Sequence, residues 1–220
     1  MASVQQESGI QSSFTDLMTS LAVIFILMFC ATWNDARQEG TSKRGVILVD
    51  LKKVLEQFIK RDGVEVKEDP KDPLSLVILV PEGLMQFKVG DDQIPESGAR
   101  FLGSFMPILA KATIKFKDDI NSIVVEGHAD TSGKDKDNLP LSQRRSMSVV
   151  MKSLGVLEGN ERDIFLILLS ASGRGSVDPY LDNGVVNMDK SRRVVFKIRI
   201  RSFEQRGKEI VENIKGEPKQ

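Results

Sequence analysis

The segment VEGHADTSGKDKDNLPLSQRRSMSVVMKSLG, Val125–Gly155, sets the architecture of most of this 220-residue chain. It begins as an apolar strand ending in Gly-His-Ala-Asp and continues through a polar loop that contains Gly133. Apolar residues then recur with a helical period, which predicts a helix over 141–154 with Ser142 near its start. A strand, a loop and a helix in this order are typical of an α/β layer.

Further helices and strands are predicted on both sides of this segment. Helical periodicity predicts helices over 44–61 and 95–115. Short apolar runs predict strands over 75–80, 120–126, 164–171 and 194–200, and the stretch 64–68 is expected to pair with the first of them. Strands that alternate with helices predict an α/β fold, an α+β sandwich in which helices cover one sheet. The charged tail after Phe203 is expected to fray.

Charged and polar side chains lie close in sequence between the strand and the helix predicted within Val125–Gly155. Asn138, Leu141 and Arg145 are spaced i, i+3 and i+7 and therefore share one helix face. An arginine can bind a carboxylate through two hydrogen bonds, and Asp130 at the strand end can pair with an ammonium. The pair therefore suits a zwitterionic ligand. The alternative is a surface ion pair, which contributes about 0–1 kcal/mol.

The segment resembles the OmpA-like peptidoglycan-binding domain through G-H-x-D and N-x-x-L-S-x-x-R. Farther along, SASGRGSVDPYLDN and SRRVVFKIRI are similar to the A-x-G-x-G loop and the N-R-R-V final strand of that family. The resemblance covers residues 64–203. It implies that the domain binds diaminopimelate of a peptidoglycan stem peptide, and it implies the following roles: Asp130 and Arg145 as principal ligands, Asn138 and Leu141 in support, and Arg193 nearby.

Two positions depart from the family pattern: Ala129 replaces the usual Thr, and Ser191 replaces the Asn before the paired arginines. The second change is expected to loosen the loop around the arginines. His128 is predicted to pack or to hydrogen-bond, because no nucleophile–base–orienter set surrounds it. We therefore predict no enzymatic activity.

The composition excludes several other classes of protein. Lys plus Arg and Asp plus Glu both total 31, so the chain lacks the basic excess typical of a nucleic-acid-binding protein. One cysteine and one histidine exclude an internal disulfide and disfavour a zinc site, and no cofactor is predicted.

The N-terminal region carries an apolar span. Residues 14–33 are long enough to cross the roughly 30 Å hydrocarbon core of a membrane as a helix. A cleaved signal peptide normally has a basic start, which this chain lacks. Lipoprotein cleavage before Cys30 is disfavoured because Phe29 is bulky. A retained anchor is the best interpretation, with 1–13 as a short cytoplasmic N-terminus, 34–63 as a linker and amphipathic helix, and 204–220 as a tail.

Asp16 has two interpretations from the residues alone. Ser13-Phe-Thr-Asp16 matches a helix capping box. Alternatively, Asp16 lies inside the membrane, where ionisable groups usually mark an ion pathway. Asp16, Thr19, Ser20 and Val23 share one helix face, which suits a protein partner or a water-filled path.

The stretch FTDLMTSLAVIFILMF, Phe14–Phe29, resembles the transmembrane helix of MotB-type stator subunits, whose F-x-D-L-M-T motif carries the ion-binding aspartate. Asp16 then corresponds to the proton-carrying carboxylate, beside Thr19 and Ser20. Followed by an OmpA-like domain, this helix has the layout of ion-driven motor B subunits. The layout implies a homodimer inside a ring of polytopic, MotA-like or ZorA-like partners.

The same layout implies a single-pass protein of the bacterial inner membrane with its C-terminal domain in the periplasm. The positive-inside bias of Arg37, Lys43 and Arg44 indicates the opposite orientation, but long domains translocate largely regardless of charge. The short N-terminus, which lacks basic residues, is more similar to that of ZorB, from the Zorya anti-phage defence system, than to that of flagellar subunits. A flagellar-type stator subunit and a passive cell-wall anchor are the alternatives.

Overall fold

The structure is a computed structural model that describes residues 2–85, 87–88, 90–202 and 205, and only the backbone at 2–13, 35–41 and 82. Two compact units are present, Met1–Gly40 and Thr41–Gln220. The helices are α1 Ala2–Val54, α2 Glu56–Asp62, α3 Glu96–Ile114, α4 Asp135–Gly155, α5 Gly159–Leu168 and α6 Met188–Ser191, with a 3-10 turn at Glu82–Leu84. The strands are β1 Glu65–Glu68, β2 Ser75–Val80, β3 Ile120–His128, β4 Leu169–Gly175, β5 Leu181–Asp182, β6 Val185–Val186 and β7 Val194–Ile200.

Five strands form one sheet in the order β1-β2-β7-β3-β4. Only the pair β3/β4 is parallel, and the last strand of the chain, β7, lies between β2 and β3. The prediction of a mixed α/β fold is confirmed. The strands β5 and β6 form a separate hairpin, whose turn residues Asn183 and Gly184 both have positive φ angles.

The core lies between the sheet and the helices. Alternate residues of β7 point into it, among them Phe196 and Ile198, which are fully buried. Phe105 packs edge-on against Phe58 at 5.2 Å and stacks with Phe101 at 4.9 Å between ring centroids. Aromatic pairs at these distances add stability beyond the apolar area that they bury. This packing holds α2 and α3 together within the second unit.

Helix α4 lies unusually close to the sheet, because glycines face it. A Cβ atom on Gly127 of β3 would lie 2.3 Å from the carbonyl oxygen of Ser142, and one on Gly173 of β4 would lie 2.6 Å from the amide nitrogen of Gln143. Only glycine permits this approach. The glycines of the G-H-x-D and A-x-G-x-G motifs therefore set the distance between α4 and the two strand ends.

Several elements differ from the sequence predictions. The strand predicted over 164–171 is wrong, because the apolar run before Leu169 ends helix α5. Phe165 and Leu168 are buried on one side of that helix, whereas Ile167 is 84% exposed. Short apolar runs do not separate a helix from a strand by periodicity. The A-x-G-x-G segment, expected as a loop, forms β4.

Helix α4 begins at Asp135 rather than at residue 141, so that Ser142 lies well inside it instead of near its start. Asp135 and Asp137 occupy the first turn, where negative side chains are favoured by the helix dipole. The strands predicted over 75–80, 120–126 and 194–200 and the helix predicted over 95–115 are confirmed. The tail after Phe203 lies outside the described residues, apart from residue 205.

The apolar span is part of α1. Within this helix, the stretch Phe14–Asn34 is long and apolar enough to cross a membrane. Its mean hydropathy is 2.1, and none of it is buried against the rest of the described chain. Because α1 already begins at Ala2, Asp16 lies in the helix interior and the capping interpretation is wrong. The linker predicted between the span and residue 44 is helical too, and the helix predicted over 44–61 is therefore continuous with α1 up to Val54 and is followed by the separate helix α2.

Candidate functional site

Asp130 lies two residues after the end of β3, and its side chain is held by two partners. Residue 130 is only 7% exposed. Its Oδ1 accepts hydrogen bonds from the backbone N–H of Ser132, at 2.8 Å, and from the Ser132 hydroxyl. Its Oδ2 lies 2.6 Å from Nη1 of Arg192. Burial acts to raise the pKa of Asp130, but the bonds from Ser132 and Arg192 outweigh it and lower that pKa. Asp130 is therefore a charged carboxylate at neutral pH.

Asn138 supports the loop that carries Asp130. Its Nδ2 donates to the carbonyl of Ser132 at 2.7 Å and to the carbonyl of Asp130 at 3.4 Å. Gly133, which has a φ of 82°, lets the loop turn beside this amide. Asn138 therefore fixes the backbone around the carboxylate. Leu141 is half-buried on the same helix.

Arg145 projects from α4 and is only 9% exposed. Its Nε donates to the carbonyl of Asp91 and its Nη2 to the carbonyl of Lys88, both at 3.0 Å. Its guanidinium lies 5.0 Å from the ring centroid of Phe87. Among the described residues no carboxylate forms an ion pair with Arg145. Burial, followed by the charge of Arg192, lowers the pKa of Arg145.

The two adjacent arginines before β7 have different partners. Arg192 contacts both Asp130 and Asp189, the latter at 2.7 Å. Arg193 donates to the carbonyl of Asp178 at 3.1 Å and lies 3.6 Å from its carboxylate. Sequence reasoning placed Arg193 in the site, but the arginine that contacts Asp130 is Arg192. The sequence Arg192-Arg193 alone does not indicate which of the two arginines contacts Asp130.

A cavity of about 20 Å³, room for roughly one water molecule, lies at this end of the sheet. Arg145, Arg192 and Arg193 all line this cavity, and Asp130 lies beside it, in contact with Arg192. The cavity is thus rich in positive charge, which favours an anionic group. Its lining residues are Met85, Phe87, Gly127, His128, Arg145, Arg192, Arg193 and Val194.

His128 forms part of the cavity wall and is only 3% exposed. Its Nε2 lies 3.7 Å from Glu126 Oε2, beyond hydrogen-bond distance, and neither ring nitrogen has a hydrogen-bond partner among the described residues. Burial lowers the pKa of His128, and Glu126 opposes this only in part. His128 is accordingly a neutral, packed side chain at pH 7.

Sequence reasoning missed several hydroxyl groups that brace the site. The Ser142 hydroxyl accepts from the N–H of Gly175 at 2.9 Å, which joins α4 to the end of β4. The Ser191 hydroxyl accepts from the N–H of Tyr180 at 2.9 Å and donates to the carbonyl of Asn187 at 2.6 Å. The loosening expected from Ser191 is therefore wrong, since this buried serine ties the loop together.

The residues predicted to carry ions lie in the other unit, Met1–Gly40. Asp16, Thr19 and Ser20 are all exposed on α1. The hydroxyl of Thr19 donates to the carbonyl of Thr15 at 2.6 Å, as threonines in helices often do. Within the described part of the chain, no cluster of His, Cys, Asp or Glu has the size of a metal site.

Comparisons with known proteins agree with this architecture. The sequence model of the OmpA family matches residues 86–192, and the chain contains an OmpA-like domain. A putative MotB-like protein from Desulfovibrio vulgaris is 22% identical, with a TM-score of 0.54 over 75% of this chain and 99% of that one. This likeness shows the fold.

Two further solved structures are similar at lower TM-scores. The periplasmic domain of Helicobacter pylori MotB is 20% identical over 71% of this chain and 94% of that one, with a TM-score of 0.48. The cell wall anchor of the T6SS from Pseudomonas aeruginosa is 19% identical over 69% of this chain and 97% of that one, also with a TM-score of 0.48. No curated protein matches the chain.

Proposed function

We propose that this protein is the B subunit of a proton-driven, peptidoglycan-anchored motor complex of the bacterial inner membrane, and that it acts in anti-phage defence. The observation that carries the proposal is Arg145, a buried cation with no carboxylate partner among the described residues, in a cavity that Asp130 adjoins through Arg192. The apolar span with its single acidic residue, Asp16, supports the motor role.

The ligand follows from the charges of the site. A buried guanidinium whose hydrogen bonds go only to carbonyls is costly unless a counter-ion arrives, and a ligand carboxylate supplies one. Asp130 receives the ligand ammonium. A group that carries both charges close together is the zwitterionic end of diaminopimelate in a peptidoglycan stem peptide. Asn138 and Leu141 support the binding residues, Arg193 borders the same cavity, and no catalytic role is assigned to any of them.

The motor role rests on Asp16. A carboxylate inside a membrane is stable only beside water or partner groups, so Asp16 requires other helices around it. We propose that a second copy of the chain and a ring of polytopic, MotA-like or ZorA-like subunits provide them, and that Asp16 carries protons with Thr19 and Ser20 beside it. Moving one charge through 100 mV releases about 2.3 kcal/mol, which is enough to bias a rotation.

The proposed ligand implies an orientation for the protein. Peptidoglycan lies in the periplasm, so the OmpA-like domain must lie there too, with the N-terminus in the cytoplasm. Binding to the cell wall then holds the B subunit still while the ring turns. Residues 1–13, which precede the span, contain no Lys or Arg, and this composition favours a Zorya-type motor over a flagellar one.

A passive cell-wall anchor is the second candidate. The observation that favours it is that Asp130, Arg145 and Arg192 all lie in the unit Thr41–Gln220, so the ligand site needs no contribution from Asp16. Both functions need Asp130 and Arg145, whereas only the motor needs Asp16.

Phage plating on cells that carry the operon distinguishes these functions. Asp16→Asn and Arg145→Ala are compared with wild type, and Arg144→Ala, which removes an exposed arginine paired with Asp92, serves as the control. Loss of protection in both test variants supports the Zorya-type motor. Loss only in Arg145→Ala supports the anchor. No protection by wild type contradicts the defence role and favours a flagellar-type or other motor.

Co-purification in detergent tests the assembly. We expect the chain to elute as a dimer with a multispan partner encoded beside it. A stable B subunit that never associates with such a partner contradicts the proposed complex.

A further inference from the structure

A second cavity, larger than the first, lies beside the candidate site. Its volume is about 330 Å³, which is within the range of pockets that bind small ligands. We call it the outer groove. Its lining residues are Gly63, Glu65, Leu79, Val80, Pro81, Gly83, Asp189, Lys190 and Arg193.

The outer groove and the first cavity lie side by side at one end of the sheet. Val194 of β7 pairs with Val80 of β2 on one side and with Gly127 of β3 on the other. Val80 lines the groove, whereas Gly127 and Val194 line the first cavity, and Arg193 lines both. Neighbouring strands lie about 4.8 Å apart, so the two cavities are separated by about the width of one strand.

Arg192 provides a second connection between the two cavities. Its guanidinium contacts Asp130 at 2.6 Å and Asp189, a residue of the groove wall, at 2.7 Å. The carboxylate that receives the ligand ammonium in the proposed function is therefore one guanidinium group away from the groove. A peptide bound at Asp130 and Arg145 has room in the outer groove for the residues that follow.

The lining of the outer groove is apolar on one side, and its acidic residues already have cationic partners. The three apolar residues, 79–81, lie together at the end of β2. Asp189 contacts Arg192, and Glu65 lies 3.0 Å from Lys67. The apolar side suits small apolar groups of a ligand, and the paired acids do not call for a ligand cation.

Lys190 is a cation of this lining that a ligand can reach. Its side chain is 55% exposed, and its Nζ lies 3.0 Å from Asp182 and 5.2 Å from the ring centroid of Tyr180. An ion pair as exposed as this one contributes about 0–1 kcal/mol, and an ammonium has three donors. Lys190 can therefore bind a ligand carboxylate in addition to Asp182 or in its place.

We propose that the outer groove binds the D-alanine residues that follow diaminopimelate in a stem peptide, and that Lys190 binds their terminal carboxylate. The D-alanine methyl groups contact the apolar side of the groove. A stem peptide that ends at diaminopimelate occupies the first cavity alone, so the protein prefers stem peptides that retain D-alanine. The inference rests on the proposed function, in which Asp130 and Arg145 bind diaminopimelate.

Titration calorimetry on the full chain in detergent tests this with three soluble peptides. These are a tripeptide that ends at diaminopimelate, the pentapeptide that continues with two D-alanine residues, and the same pentapeptide with an amidated C-terminus. Wild type should bind the pentapeptide about tenfold more tightly than the tripeptide, because two methyl groups leave water. The amidated pentapeptide should bind about threefold more weakly than the free acid, as expected for one partly exposed ion pair.

Lys190→Gln removes the charge and keeps a polar side chain. This variant should bind the free and the amidated pentapeptide equally well, and its affinity for the tripeptide should match that of wild type. Lys115→Gln is the matched control, because the side chain of Lys115 is 58% exposed and likewise pairs with an aspartate, Asp50. It is expected to keep the threefold difference.

The outcomes separate this inference from the proposed function. If wild type binds none of the three peptides, the proposed function fails. If wild type binds the tripeptide and the pentapeptide equally well, the inference is overturned while the proposed function stands. A preference for the free acid that is equal in wild type and Lys190→Gln removes Lys190 as the residue that binds the carboxylate. A loss of affinity for the tripeptide in Lys190→Gln also contradicts the inference, because it would place the effect in the first cavity.

Discussion

Asp16 and Asp130 are both carboxylates to which we assign function, and they differ in where their partners come from. The oxygens of Asp130 are bound by Ser132 and Arg192 of the same chain, in a buried position. Asp16 is exposed on an apolar helix, and no hydrogen bond to its carboxylate is found within the described residues. The chain thus surrounds Asp130 with its own groups, whereas in the proposed motor the partners of Asp16 come from neighbouring proteins. Asp130 can be tested in the single chain, and Asp16 only in the assembled complex.

The largest expected effect is the loss of proton flow in Asp16→Asn. Asparagine has a similar shape but carries no proton at any pH in the working range, so the complex should assemble and conduct nothing. A pH-sensitive dye inside vesicles that contain the reconstituted complex measures the flow. Binding to purified peptidoglycan should stay unchanged in the same variant. Proton flow at the wild-type rate would remove Asp16 as the carrier.

Gly127→Ala tests the close packing of α4 on β3, which positions the site around Asp130. Its Cβ atom would lie 2.3 Å from the carbonyl oxygen of Ser142, which belongs to the helix backbone and cannot swing away. Overpacking of this kind costs about 1–3 kcal/mol or more in the free energy of unfolding. Thermal melting of the detergent-solubilised chain measures it.

Gly103→Ala is the matched control, since no described atom lies within 4 Å of its added Cβ in helix α3. Alanine is the better helix former there, so a gain of up to about 1 kcal/mol is expected. The two Gly→Ala changes therefore have opposite signs. A melting temperature that rises in both variants would contradict the close approach of α4 to β3.

Arg145→Gln should weaken binding to peptidoglycan by about a hundredfold, because the lost contact is charge-assisted and largely buried. Co-sedimentation with purified cell-wall sacculi measures this for the full chain. Arg144→Gln, which removes the neighbouring exposed arginine, should bind as wild type does. Equal losses in both variants would indicate a non-specific effect of charge.

The parts of the fold that sequence predicted correctly are those with a strong local pattern. The strand over 75–80 is a continuous apolar run, and the helix over 95–115 places Phe101, Phe105 and Leu109 on one buried face. The run before Leu169 has no such discriminating pattern, because only the tertiary packing of Phe165 and Leu168 decides that it is helical.

The candidate site could be predicted only where its residues are close in sequence. Asp130, Asn138 and Arg145 all lie within the 31-residue segment Val125–Gly155. Arg192, which contacts Asp130, is 62 residues away, and the choice between Arg192 and Arg193 depends on how the chain leaves α6 and enters β7. That geometry is a property of the assembled sheet, and no local pattern encodes it.

The smallest predicted effect concerns His128, the only histidine in the chain. Burial lowers its pKa below the usual value of 6.5, against the opposing charges of Glu126 and Asp178, while Arg193 lowers it further. Between the folded and unfolded pKa values the unfolded chain binds more protons, so the folded state loses stability as the pH falls below about 6.5. Carboxylates with lowered pKa values, such as Asp130, lose their contribution only in more acidic solution, near and below 3.8.

The window from pH 7.5 to 5.5 therefore isolates His128. Denaturant unfolding of the wild-type chain at both values should give a lower free energy of unfolding at pH 5.5. In His128→Gln, which cannot titrate, that difference should shrink to nearly zero, even if the variant is less stable at both values. His128 then contrasts with Asp16, because the groups that shift the pKa of His128 belong to its own chain. Its effect on stability can therefore be measured without a partner protein. An equal loss on acidification in wild type and His128→Gln would show that another group controls this window.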